Sequence, residues 1–281
     1  MKSVRTRRRA SAARVGLTAI AALVLVAPLL AILGFLVHQG ASGLDLALLS
    51  RLPKPVGEPG GGMANALVGS LILLGLAAVL GLPLGIVGGL YLAESTDRRL
   101  PSALRFLADC LNGVPSIVVG LFAYTVVVLP MRRFSALAGG VALAVIMLPI
   151  VLRTTEEMVR LVPAALREGG LALGLPRWTV ALRIVVPTAR AGIVTGALVA
   201  LARVAGETAP LLFTALGSRL WPSGLDQPIA ALPLQIFAYA ISPYDEWHRQ
   251  AWAGALLLIG LVLVVSVAAR AATRGGGGAG R

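Results

Sequence analysis

The sequence predicts an all-α integral membrane protein with six transmembrane helices, and three observations point there. Of its 281 residues 57% are hydrophobic and 13% charged, with a mean hydropathy of +0.87. A soluble domain carries about 25% charged residues, so this chain lacks the polar groups to cover a globule of its size. Its apolar residues recur in runs of roughly 20, the length that crosses about 30 Å of hydrocarbon, and its basic residues gather between those runs. A soluble enzyme is excluded. One membrane domain, residues 15–269, is expected between a basic cytoplasmic tail (1–14) and a flexible cytoplasmic tail (270–281) rich in glycine.

The spans are expected at 15–37, 65–93, 104–129, 134–152, 191–212 and 251–269. The first follows Lys2 and five arginines, as a signal peptide does, but its apolar stretch exceeds the 7–15 residues of a signal core and reads as a retained anchor. The second is long enough to tilt. It carries Gly81, Gly85 and Gly89 at four-residue spacing, the small-residue stripe that lets two helices pack closely. The third holds Asp109 and Asn112 near its start, either a gate or a polar helix contact. The fourth ends at Arg153, an inner-face anchor. Counting Lys and Arg beside the spans gives eighteen on the side of the N-terminus and six on the other. Both termini are therefore expected in the cytoplasm, although the Arg132-Arg133 pair runs against the rule. The external segment 40–63 is irregular, with prolines and a glycine run. The external segment 217–249 mixes Trp221, Tyr239, Tyr244 and Trp247 with prolines, as at a lipid–water interface.

Several chemistries are set aside by the residue inventory. The only lysines, Lys2 and Lys54, stand in no Gly-Lys-Ser/Thr context, so the chain has no phosphate-cradling loop for nucleotide hydrolysis. Two isolated histidines and the single Cys110 build no zinc site. The net charge of +13 suits an anionic lipid leaflet rather than nucleic acid, because the basic groups flank apolar runs.

Two segments carry mechanism. The cytoplasmic region 153–190 is too polar to span. A short helix is expected to begin at Pro163 and to end at Gly174 before Pro176, with a second helix from Trp178 to Val185 ahead of Pro187. Such a helix–turn–helix is either a docking surface or an amphipathic loop lying on the membrane. In the fifth span, Arg203 and Glu207 stand four residues apart and are therefore expected to share one helix face. An arginine at the centre of a span costs about 2.5–3.5 kcal/mol on insertion scales, so an intramembrane charge marks a functional site by default. Arg203 is expected to face a cavity, with Gly206 and Pro210 loosening the helix around it. A guanidinium fork matches an oxyanion, and the competing reading is an internal Arg203–Glu207 ion pair that pins packing.

The residues of both segments carry a family resemblance. Glu168-Gly169-Gly170, three residues, Gly174, nine residues, Ile184 and then Val186-Pro187 resembles the EAA motif of ABC-importer permeases (E-A-A, three residues, G, nine residues, I-x-L-P). The two alanines are glycines here and the leucine is valine. Arg203 to Ala215, R-V-A-G-E-T-A-P-L-L-F-T-A, is similar to the R-A-I-G-E-T-A-P-L-L-x-T-A signature of the PstA family of phosphate-transport permeases. The stretches 61–70, 111–122 and 148–157 resemble further blocks of that family, and the likeness runs from about Gly61 to Ala268.

The resemblance implies a type I ABC importer permease (MetI-like) fold and an inner-membrane subunit forming half of a translocation pore, with no cofactor and no catalysis on this chain. It implies a PstC-like permease as pseudo-symmetric partner, a PstB-like ATPase dimer carrying ATP and Mg, and an extracytoplasmic phosphate-binding protein. Phosphate would cross by alternating access past Arg203, Glu207 and Thr208. Glu168, Gly169, Gly170, Gly174 and Pro187 would couple the chain to the ATPase. Small residues there suit close approach to a partner backbone, and glycines in place of alanines cost about 1 kcal/mol each in helix propensity, so partner contacts are expected to hold that helix. The alternatives are a permease of the same class for another oxyanion or small solute, and a self-contained secondary transporter.

Overall fold

The computed structural model describes residues 4–55, 58, 60–97 and 99–274, with the backbone alone at 4–14, 268, 269 and 272–274. The basic side chains of the N-terminal tail, Arg98 and the glycine-rich end 275–281 lie outside the described residues. The described chain is helical almost throughout. Helix α1 (Val4–Gly40) leads through a tight turn to α2 (Leu46–Ser50), capped by Asp45, whose carboxylate accepts from the Leu48 N–H at 2.7 Å. Then come α3 (Ala64–Glu94), α4 (Arg99–Gly113), α5 (Ser116–Met131) and α6 (Ala136–Arg160). They are followed by α7 (Ala164–Ala172), α8 (Arg177–Ala205), α9 (Ala209–Thr214), α10 (Leu232–Ala240) and α11 (Asp245–Arg274).

Five of these helices are long and apolar enough to cross a membrane singly, namely α1, α3, α6, α8 and α11. The expected third span, 104–129, is not one helix. It is the pair α4 and α5, bent by 104° at Gly113-Val114-Pro115. Proline has no N–H to continue the ladder and pushes the residue before it away from the helical region, so Pro115 starts α5 instead of extending α4. The cytoplasmic region 153–190, expected as a helix–turn–helix or an amphipathic loop, is joined to the spans on both sides. Its first eight residues prolong α6 to Arg160, and the stretch from Arg177 belongs to α8. The separate helix expected at 178–185 thus runs on into the fifth span. It does so through a π turn, Ala181–Val185, and a second π turn, Tyr124–Val128, widens α5. Each is followed two residues later by a proline, Pro187 and Pro130. A proline ring clashes with the carbonyl four residues back, and a widened turn makes room for it.

Helix α6 is the centre of the bundle. Of its apolar stretch 67% is buried, against 22% for α3 and 6% for α1. Its most extensive neighbour is α3, and α8, α4, α5 and α9 pack around the same core, built from Leu73, Leu143, Met147, Val151, Val204 and Leu211. The α3–α6 approach depends on the glycine stripe. A Cβ at Gly81 would lie 2.7 Å from Met147 Cε, one at Gly85 2.7 Å from Val151 Cβ, and one at Gly89 2.5 Å from the Leu152 carbonyl oxygen. At the other end of α3, Asn65 donates to the Ser218 carbonyl at 2.7 Å and Ser70 Oγ accepts from the Leu232 N–H at 2.8 Å. These bonds fix the long segment between α9 and α11 onto the bundle. Helix α1 is held chiefly by α11, with Phe35 edge-on to Trp252 at 5.3 Å. The rest of its apolar surface is open to lipid.

Gly89→Val should lower the unfolding free energy by about 3 kcal/mol through overpacking. Gly75 has nothing within 4 Å of a Cβ, so Gly75→Ala should be neutral or gain up to about 1 kcal/mol. Thermal melting of the detergent-purified chain separates the two, and equal midpoints would show that the stripe does not set the α3–α6 distance.

Candidate functional site

Arg203 and Glu207 do not share a helix face. Helix α8 ends at Ala205, Gly206 forms the turn, and Thr208 precedes α9 without a capping bond from its side chain. Pro210 in the first turn of α9 belongs to the new helix, where its missing N–H costs nothing. Among the described residues neither Arg203 nor Glu207 has an ion-pair partner, so the pinning pair does not form. Arg203 is exposed on the surface of this chain, and Glu207 and Thr208 are partly exposed beside it.

The break after Arg203 meets the break in the third span. Arg203 lines a narrow cleft with Asn112, Val114, Ser116 and Ile146, so the guanidinium lies at the α4–α5 bend, beside the N-terminus of α5. The two breaks are bound together by contact: a Cβ at Gly120 of α5 would lie 2.6 Å from Pro210 Cα. A cationic side chain, an asparagine amide, a serine hydroxyl and a helix N-terminus, which carries a partial positive charge, make one electropositive corner.

Where α3 and α6 end, a buried carboxylate organises the arginines. Glu156, 2% exposed, meets Arg105 Nε at 2.6 Å, Arg160 Nη2 at 2.7 Å and Arg153 Nη1 at 3.2 Å. Arg153 also reaches Asp109 at 3.2 Å, and Arg105 donates to the Leu92 carbonyl at 2.9 Å. Arg153 is therefore part of a charge cluster joining α3, α4 and α6, more than an interfacial anchor. The i, i+3, i+4 spacing of Arg153, Glu156 and Arg160's partner relation was readable along α6. The contribution of Arg105, 51 positions away, was not.

The short helix α7 sits between α6 and α8, and its small residues serve different ends. Gly170 is buried within the chain: a Cβ there would lie 2.7 Å from Ile184 Cδ1 and 2.9 Å from Val180 Cγ2. At this position the close approach within the chain is to α8. Gly169 is exposed with nothing within 4 Å, and Glu168 is exposed beside it. Gly174 follows the helix with φ +77°, a left-handed conformation that glycine adopts without penalty. Pro187 is exposed on α8, past the π turn. Around α7 the surface is apolar, with Leu161, Leu166, Leu171, Leu173 and Trp178 all exposed.

At the opposite end of the molecule, a cavity of about 430 Å³ is lined by Ser218, Arg219, Gln235, Tyr239 and Trp247 among others. Tyr239 stacks on Trp247 at 4.6 Å and receives a hydrogen bond from Gln235. Burial raises its phenol above the ordinary value, against the lowering effects of that bond and of the Arg219 charge.

Comparison with known proteins places these features. Residues 85–275 match the family described as binding-protein-dependent transport system inner membrane component. The chain is 49% identical over 235 residues to the phosphate transport system permease protein PstA of Yersinia pestis, covering 83% of this chain and 80% of that one. It is 47% identical over 267 residues to the PstA protein of Xylella fastidiosa (strain Temecula1), covering 94% and 93%. Among solved structures it is similar to a chain of the MetNI methionine ABC transporter in an inward-facing conformation, with a TM-score of 0.60, 19% identity and coverage of 75% and 92%.

Glu156→Ala should leave three arginines without their shared partner. Breaking a buried pair costs about 3–5 kcal/mol, and the lower end is expected because the arginines keep access to solvent. Thermal unfolding of the purified chain measures this, and an unshifted midpoint would mean the cluster holds nothing.

Proposed function

This chain belongs to the family of binding-protein-dependent transport system inner membrane components and, within it, to the PstA phosphate permeases, and from that premise we propose that phosphate crosses the membrane beside Arg203. The chain is a multi-pass inner-membrane permease subunit of a phosphate importer with the type I importer fold, and it is not an enzyme. The observation that carries the proposed path is the position of Arg203. It is an unpaired guanidinium on the chain surface, at the point where two interrupted helices touch. An unpaired cation in a span has to be met by a cavity or a partner subunit. The second half of the pore is the partner that such a face requires, a PstC-like permease in a pseudo-symmetric pair. Glu207 and Thr208, in the non-helical turn, lie on the same path, Glu207 limiting how tightly the anion is held.

Transport is by alternating access. A PstB-like ATPase dimer, holding ATP and Mg, docks on the α7 surface around Glu168, Gly169 and Gly174, where exposed leucines and Trp178 offer an apolar face. That end of the molecule and both termini are cytoplasmic. An extracytoplasmic phosphate-binding protein delivers the anion at the opposite end, the one formed by α2 and α10. A fork of N–H donors is what a tetrahedral oxyanion selects, and the phosphate named for the relatives favours that cargo over other oxyanions.

Arg203→Ala should abolish phosphate uptake by the reconstituted importer while the complex still forms. Uptake at the wild-type rate would reduce Arg203 to a packing residue. Gly174→Val imposes a left-handed turn on a β-branched residue and should destabilise by more than the roughly 0.4–1 kcal/mol that replacing a glycine gains at a compatible site. ATP hydrolysis should then run without matching uptake, and a normal ratio of the two would remove the docking assignment.

A further inference from the structure

We propose that Arg167 is a positioning residue that transmits movement of α7 to the α3–α6 pair, an inference that rests on reading α7 as the ATPase dock. Its side chain reaches across three elements. Nε donates to Glu94 Oε1 at 3.0 Å, Nη1 to the Val162 carbonyl at 2.8 Å and Nη2 to the Val159 carbonyl at 2.6 Å. All three guanidinium nitrogens are thus engaged, and the side chain is 24% exposed.

The acceptors share one chemistry. Glu94 is the last residue of α3, and a carboxylate at a helix C-terminus stands against the negative end of the dipole. The carbonyls of Val159 and Val162 belong to the last turn of α6 and the residues just past it, where carbonyls fall outside the regular helical ladder; that of Val159 also accepts from the Val162 N–H at 3.2 Å. One cation answers all of them, with charge-assisted bonds that are stronger than neutral ones. A lysine presents a single nitrogen and has no planar fork to span acceptors on two helices.

The arrangement leaves little else to do this work. The backbone of α7 packs mainly onto the start of α8, through Gly170 against Val180 and Ile184. Beside the short chain link 161–163, its side-chain hydrogen bonds to the ends of α3 and α6 among the described residues are those of Arg167. A push on the exposed leucines of α7 therefore reaches α8 by apolar contact and reaches the glycine-packed α3–α6 pair through this fork.

The test uses the whole importer in liposomes, comprising the permease pair, the ATPase subunit and the binding protein, with radiolabelled inorganic phosphate and ATP. Arg167→Ala should assemble with unchanged subunit ratios and still hydrolyse ATP, while phosphate moved per ATP falls about tenfold, within the usual range of coupling between sites. Arg167→Lys should fail to restore that ratio, because a general loss of charge is not the cause. An unchanged ratio in Arg167→Ala, or full restoration by lysine, overturns the proposal. If Arg167→Ala does not assemble, Glu94→Gln keeps both carbonyl bonds and weakens one contact. It should lower the ratio partway, and a normal ratio there overturns the proposal as well. A working wild type with indifferent variants sinks the Arg167 assignment alone, whereas a wild type that takes up no phosphate on ATP sinks the transport reading and this proposal together.

Discussion

Inside hydrocarbon, a peptide group released from a helix finds no water to bond, so every interruption of a span has to be matched by protein. This chain interrupts its spans twice, at Gly113-Val114-Pro115 and at Gly206-Glu207-Thr208, and brings the two interruptions into contact through Gly120 and Pro210. Non-helical backbone, polar side chains and the Arg203 guanidinium collect in one place. A cation with no internal partner is tolerable only there.

The regular part is built for close contact. Glycines at every fourth position of α3 let its backbone approach α6 to within the reach of main-chain atoms, and without a hydrophobic drive between helices in lipid such contact is the main cohesive term. The end of this tightly packed pair is closed by charge. Glu156 gathers three arginines and Arg167 bridges Glu94 to the last carbonyls of α6. Apolar packing sets the spacing along the pair, and directional bonds set the geometry where α7 attaches.

Much of this was legible in the residues. Hydropathy located the apolar middle of each span, while the helix of the fourth span runs eight residues past its expected end at 152 and that of the fifth starts fourteen residues before 191. The glycine stripe, the cap at Gly174 and the intramembrane arginine follow from local rules. The bend at Pro115 was written in the sequence too, but apolar character runs straight through it, and a hydropathy window does not register a change of direction. The region 153–190 was expected to stand apart from the spans because its charge density was taken to end them, whereas the helices on both sides run into it. Arg153, Arg160 and Arg183 lie on continuous helices whose charges pair with one another or reach the surface. That Ile184 folds back over Gly170 is not legible in the local sequence either. The links from Arg105 to Glu156 and from Arg167 to Glu94 join residues 51 and 73 positions apart, and no local spacing carries such information.

Helix α8 has a property that emerges once its two ends are considered together. It runs from Arg177 to Ala205 as one helix, with Trp178 in the exposed apolar face at its start and Arg203 in its last turn. At 1.5 Å per residue these side chains are separated by about 38 Å. As one helix it has the geometry of a lever arm: a tilt applied at the Trp178 end sweeps the far tip in proportion to that length. The π turn Ala181–Val185 lies near the Trp178 end of that length, so nearly all of the arm extends beyond it toward Arg203.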